Sequence, residues 1–291
     1  MRKIYAVKEL YAHFSGVLDT EKKFKDERAR LAKRVWADME ARDSRECRVC
    51  HNQEAFVFAE FKNPTKAERM QKGLKENQTC IDCHKGLTHQ MPDLSGGFRK
   101  LYKELEVAAA DPKISAEAVY PLTTVICYDG KEGEREGRIL AATKLTVLEK
   151  DGSWLKVRSD GWRQDGVDAL IYELQGKRIF AVALDKEARE KPKIHSTMTD
   201  DNTEQIWHEV SFETWVKTTN MIESLEKLWD YGSEMHGASC GSCHSLPPAN
   251  HFLANQWIGG LKDMQRYINL EKEEYRFLQK YLQLHAQDVK G

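Results

Sequence analysis

The chain has 291 residues, enough for two or three compact domains, and is 41% hydrophobic and 31% charged. That balance excludes a disordered polymer, and a formal net charge of −1 gives no electrostatic reason to expect a nucleic-acid partner. No apolar run approaches the roughly 18 residues of a membrane-spanning helix, and the start MRKIYAVKELYAHF lacks the apolar segment of a secretory signal.

The N-terminal third is predicted helical with little apolar core. Asp19 or Thr20 offers an N-cap to an amphipathic helix over 17–41, with Phe24, Leu31, Val35 and Met39 at helical spacing. That helix leads to CRVCH, which holds Cys47, Cys50 and His51. A second helix over 64–76 leads to CIDCH, with Cys80, Cys83 and His84, and His89 follows five residues later.

After about residue 112 the pattern changes to β-branched runs separated by glycine turns, and Asp151-Gly152 is a hairpin signal between two of them. Cys127 falls in one such strand and reads as a buried, inert thiol. The run resembles a bacterial SH3-like barrel, with Trp154 and Val157 at core positions. It contains no histidine or cysteine constellation, so a spacer or docking module is expected.

From about 196 helices are expected again, over 204–218, 221–236, 254–267 and 270–286. The last places Leu270, Phe277, Leu278, Tyr281 and Leu282 on one face, and Trp229 and Trp257 read as core. Between the second and third lies CGSCH, with Cys240, Cys243 and His244.

Three Cys-x-x-Cys-His pentapeptides are not chance, since a shuffle of this composition yields on the order of 0.006. Two thiols at that spacing form thioethers to the vinyl groups of a haem, and the next imidazole reaches the iron. Structural zinc wants four ligands, usually as a second pair at a fixed distance, and does not explain a histidine after every pair. A dithiol redox motif would stand once, near a βαβ pattern. Three covalently attached haem c groups are therefore expected. A helix leading into CGSCH, with an amphipathic C-terminal helix to cross it, is similar to a small single-haem cytochrome c domain. Two residues compete as sixth ligand there. His251 follows His244 by only seven residues, with Pro247 and Pro248 restricting the loop, whereas Met264 is twenty residues on and is favoured.

The stretches GVLDTEKKF and RVWADMEARDSRECRVCHN, followed by NQTCIDCHKGLTHQMPD, resemble the NapC/NirT family of membrane-anchored, quinol-oxidising cytochromes. With the barrel insert and the final CGSCH, the whole chain is similar to the pentahaem TorC type. The resemblance implies that His89 serves as distal ligand to the neighbouring haem of Cys47, Cys50 and His51. Two imidazoles five residues apart are poorly placed to bind opposite faces of one iron, which agrees with that crossing over. It also implies a distal role for His13, toward a haem outside the three motifs. The family carries a membrane helix and two further motifs before the counterpart of residue 17, so a fragment, a mis-called start or a truncated reading frame is expected.

The expected fold is α+β and multidomain. It comprises a haem-wrapped helical segment over 1–112, an SH3-like β-barrel over 113–195 and an all-α, cytochrome c-like domain over 196–291. The resemblance implies an electron carrier, not an enzyme, working in the periplasm. It would pass electrons from the quinol pool, reached only through a missing N-terminal part, to a molybdenum-type terminal reductase such as trimethylamine N-oxide reductase. Membrane association would likewise come only through a missing anchor. Two other readings stand beside it: a docking module for a reductase or sensor with haem mainly structural, and a multihaem oxidoreductase with an open haem site.

Overall fold

The computed structural model of the chain describes residues 10–85, 92, 95–201, 203–241, 246–265, 268 and 270–289. It divides into two compact units, 1–96 with 240–246, and 97–239 with 247–291.

The first unit is helical and almost coreless. Helix α1 (Glu21–Ala41) starts where Thr20 accepts a hydrogen bond from the Lys23 amide, as its sequence requires. None of its residues is buried, and Phe24 and Val35 of the expected apolar stripe lie exposed. A single turn, α2 (Arg45–Arg48), carries the first motif. Helix α3 (Pro64–Lys75) is capped by the Asn63 side chain and has proline in its first turn, where no amide partner is lost. The turn α4 (Cys80–Cys83) begins with a capping box between Thr79 and Asp82. Among the described residues 10–85, Ala67 and Ile81 are the only buried hydrophobic ones.

The second unit is a β-barrel with a helical layer. Its ten strands are β1 (Ala118–Pro121), β2 (Val125–Tyr128), β3 (Arg135–Ile139), β4 (Leu145–Asp151), β5 (Trp154–Gln164), β6 (Leu170–Tyr172), β7 (Phe180–Leu184), β8 (Lys193–Thr199), β9 (Ile206–Lys217) and β10 (Met221–Ile222). Six of them, in the order β5-β6-β7-β3-β2-β9, close into a ring because β9 pairs β5 along its whole length, from Trp154↔Lys217 to Gln164↔Trp207. Closure leaves those six strands no free edge. Gly161 permits the crowding that closure demands, since a Cβ there would meet the Tyr172 carbonyl at 2.5 Å. Leu145, Leu155, Val157, Ile171, Phe212 and Val216 fill the interior. The hairpin at Asp151-Gly152 forms as expected, with Gly152 at φ 58°.

Four helices pack on one another and on Leu122, Ala141 and Ile179 of the barrel: α5 (Gly96–Ala110), α6 (Leu225–Cys240), α7 (Gln256–Met264) and α8 (Lys272–Leu284). Helices α6 and α8 cross at Gly232, where a Cβ would lie 2.6 Å from the Tyr281 ring, so only glycine lets the two approach. Phe277, Leu278, Tyr281 and Leu282 are buried, as the periodicity of α8 predicts; Trp257 is buried, and Trp229 packs against the same cluster at Phe277 and Tyr281. Lys280, also buried, ties α8 to the barrel through Thr143 Oγ1 at 2.6 Å and Glu173 Oε1 at 2.5 Å. Burial pulls its ammonium below the usual lysine range, against the opposing pull of Glu173.

Two expectations need correction, and one helix was not anticipated. The helix expected over 204–218 is strand β9, because Val210, Phe212, Thr214 and Val216 alternate with outward residues at period two and the strand must close the barrel. Trp154 is not a core residue. It lies three positions from Val157 in β5 and so faces the other way, half-buried against Tyr128 with Lys217 over its ring. Helix α5, which the sequence reading did not anticipate, buries Phe98, Leu105 and Ala109 among α6 and α8.

Candidate haem-attachment site

The first two motifs are wound alike. The His51 amide donates to the Cys47 carbonyl at 2.9 Å and the His84 amide donates to the Cys80 carbonyl at 3.0 Å. Each motif is thus one helical turn, which brings its two cysteines to one side with the histidine close behind. Cys50, Cys83, His51 and His84 are exposed, while Cys47 and Cys80 are half-buried. Burial, and then the neighbouring Cys80 thiol, raise the Cys47 thiol above its ordinary value. Partial desolvation of its sulfur, and then the Asp82 carboxylate, raise Cys83.

Two contacts join the elements that carry these motifs. Ser44, the residue capping α2, accepts a hydrogen bond from the Ile81 amide at 3.0 Å. Lys85 pairs with Glu40 at 3.3 Å and lies over the Trp36 ring. Arg48 folds back onto Asp43, donating from Nε to its carbonyl at 2.8 Å and from the guanidinium tip to its carboxylate at 2.6 Å. Lys85 and Arg48 are therefore already engaged by protein groups.

The residues fit covalent haem. Val49, inside the first motif, is 78% exposed, and Val57 is exposed beside the Phe56, Phe58 and Phe61 rings, which touch in series. Such exposed apolar surface in the segment that carries four cysteines suits a bulky apolar group held by the thiols. Among the described residues no group of three or more His, Cys, Asp or Glu side chains has metal-holding geometry.

The remaining predicted residues fall as follows. Cys240 ends α6, while Cys243, His244 and His89 lie outside the described residues. His251 sits exposed in a 3-10 turn against Phe252, and Met264, the last residue of α7, is partly exposed. His13 is exposed beside Phe14. Cys127 is fully buried, which pushes its thiol up to about 12 and leaves it inert as expected.

Sequence reasoning missed Ser44, and it placed His236 among structural or surface residues without seeing its burial. His236 is buried one helical turn before Cys240, edge-on to Trp257, with no hydrogen-bond partner at Nε2. Burial alone holds its imidazole down at about 4. Its spacing from Cys240 was readable; its aromatic surroundings were not.

Comparisons with known proteins agree with this chemistry. The NapC/NirT cytochrome c family, N-terminal region, matches residues 1–94, and the TorC third cytochrome c domain matches 114–221, a stretch that contains no Cys-x-x-Cys-His. The cytochrome c-type protein TorC of Escherichia coli K12 is 37% identical over 295 residues, covering all of this chain and 74% of that protein. TorY of Haemophilus influenzae is 32% identical over 99% of the chain and 77% of its own length. NapC of the same organism is 50% identical over 102 residues, covering 34% of the chain and half of that protein. No solved structure matches the chain. Among the described residues no helix is long and apolar enough to cross a membrane. The chain belongs to the TorC family of c-type cytochromes, multihaem electron-transfer proteins that bind haem c covalently.

Proposed function

We propose that this chain relays electrons, derived from the membrane quinol pool, to a periplasmic terminal reductase of the molybdenum type, with trimethylamine N-oxide as the acceptor reduced there. The observation that carries this reading is the contact between the elements of the first two motifs, which are wound alike: the Ile81 amide, inside the second motif, donates to the Ser44 hydroxyl, three residues before the first, at 3.0 Å. Electron transfer needs neighbouring redox groups, and a contact between the two motif-bearing elements supports that reading. Haem iron, when bound, supplies a one-electron Fe(III)/Fe(II) couple.

The chain's own residues attach, ligate and space. Cys47 with Cys50, Cys80 with Cys83 and Cys240 with Cys243 would hold three haems, with His51, His84 and His244 as proximal ligands. His89 would complete the haem of His51. Met264, or His251 in its place, would complete the haem of His244. His13 would serve a haem beyond these three. The helical layer supports a cytochrome c-like reading of the C-terminal region, because α6 leads straight to Cys240 and crosses α8 at Gly232. The barrel, without a motif of its own, would be an SH3-like docking module.

The test uses the chain matured in a host that attaches haem c. Intact mass is expected to show three haems, and the reduced protein is expected to be reoxidised by trimethylamine N-oxide only when its reductase is present. Fewer than three haems in folded protein, or direct reoxidation without the reductase, would count against it. For the third haem, a far-red sulfur-to-iron band lost in Met264→Ala assigns Met264. Absence of that band, with Met264→Ala without effect and His251→Ala turning the haem high spin, assigns His251.

A further inference from the structure

Ser44 is an unusual residue to find fully buried in a unit with so little core. Its backbone is left-handed, at φ 46° and ψ 40°, and the preceding Asp43 is left-handed as well, at φ 52°. Two successive non-glycine residues in that region are strained unless the surroundings hold them there. Three contacts do so. The Ser44 amide donates to the Met39 carbonyl at 2.7 Å, at the end of α1. Arg48 grips Asp43 by both carbonyl and carboxylate. The Ser44 hydroxyl accepts the Ile81 amide at 3.0 Å, across 37 residues of sequence.

The last contact connects the two motifs. Ile81 stands between Cys80 and Cys83, and Ser44 stands three residues before Cys47. The first amides of a helical turn have no partner within it, and the Ile81 amide finds one on the element that carries the other motif. A buried amide left without that oxygen would have to shift, taking Cys80 and Cys83 with it. Glu40 and Trp36 hold Lys85 from the same side, just past His84, so α4 is gripped at both ends.

We propose that Ser44 is a positioning residue for electron exchange, its hydroxyl fixing the separation between the two neighbouring haem-attachment motifs. The proposal rests on the reading of both motifs as haem sites. The left-handed turn aims the hydroxyl at Ile81, so the strain at 43–44 serves the spacing of the motifs.

The test compares Ser44→Ala, which keeps the side-chain strain and loses the hydroxyl, with Ser44→Gly, which loses both. Each is purified as mature holoprotein, and intact mass first establishes its haem content. Electron paramagnetic resonance of the oxidised protein is expected to show the wild-type pair broadened by mutual interaction. In both variants the pair should move toward two isolated low-spin signals, while the third haem's signal stays put. Exchange of the Ile81 amide should speed up by at least about tenfold in both, the loss of one buried hydrogen bond. Unchanged pair signals and Ile81 exchange in both variants overturn the proposal, as does a wild type without interaction. A change in Ser44→Gly alone overturns it too, assigning the effect to backbone strain. Absence of covalent haem from the wild type defeats the functional reading itself, and this inference with it.

Discussion

The two units solve the problem of stability in opposite ways. Residues 97–239 with 247–291 bury two large hydrophobic clusters, one inside the barrel and one among the four helices. The described residues 10–85 bury Ala67 and Ile81, and expose Phe24, Val35, Val49 and Val57. A fold with so little apolar burial cannot offset the entropy of ordering its chain. What it has instead is four thiols and polar braces such as Ser44 and Lys85. Its order therefore depends on what the thiols hold, whereas the barrel and helices order themselves.

The largest expected effect tests that contrast directly. Without haem attachment, whether in a quadruple alanine variant of Cys47, Cys50, Cys80 and Cys83 or in a cytoplasm that does not mature cytochromes, residues 10–85 should be cut readily by protease. Residues 97–239 should resist, and mapping the cuts by mass spectrometry checks both. A resistant N-terminal fragment would break the comparison.

Within the self-ordering unit, the buried Lys280–Glu173 pair is the next lever. Lys280→Ala leaves a buried carboxylate unpaired and should cost about 3–5 kcal/mol in a denaturant melt of the second unit. Lys280→Met removes the charge but keeps the volume, and should cost less than Lys280→Ala. The haem spectrum of the matured protein should not change in either variant.

His236 sharpens the comparison through pH. Folded, its imidazole is held at about 4, against an ordinary 6.5 once unfolded. Between those values the unfolded chain binds a proton that the folded one refuses. Stability is therefore full above pH 6.5 and falls as pH drops toward 4, by about 3 kcal/mol in all. His236→Phe keeps an aromatic ring against Trp257 and Tyr281 and should abolish that slope. An identical pH profile in the variant would show that another group titrates.

How much of this was legible in sequence follows from where the determining contacts lie. The candidate attachment motifs are readable because their pattern is local: two thiols and an imidazole within five positions. Helices α1, α3, α7 and α8 were readable because caps and apolar periodicity are local too. Ser44 was not, because its meaning depends on an amide 37 residues away. Strand β9 was misjudged because its flanks, with Trp207, Val210 and Trp215, also match a helical period, and only pairing with β5 settles the choice. Helix α5 follows a motif in sequence but packs with helices more than a hundred residues later.

The smallest predicted effect comes from Trp154, where a familiar pattern and strand geometry disagree. A tryptophan in a strand of this kind invites a core assignment, and Val157 next to it invites another. In an extended strand, residues three apart point to opposite faces, so the two assignments exclude each other. The barrel interior takes Leu155, Val157 and Ser159, which are all buried, and Trp154 goes to the outer face. There it stacks edge-on against Tyr128 at 5.4 Å and receives the Lys217 ammonium at 5.7 Å from its ring centre. An aromatic pair and a partly exposed cation–π contact together contribute about 1–2 kcal/mol. Trp154→Ala should therefore cost about that much in thermal or denaturant unfolding of the second unit. Leu155→Ala, one residue away but facing inward, should cost about 2–5 kcal/mol. The native Trp154 fluorescence should be open to a soluble quencher while Trp207, which is buried, stays protected. If Trp154→Ala proved the costlier of the two, the register of β5 would have to shift by one residue, exchanging the inward and outward faces of the strand.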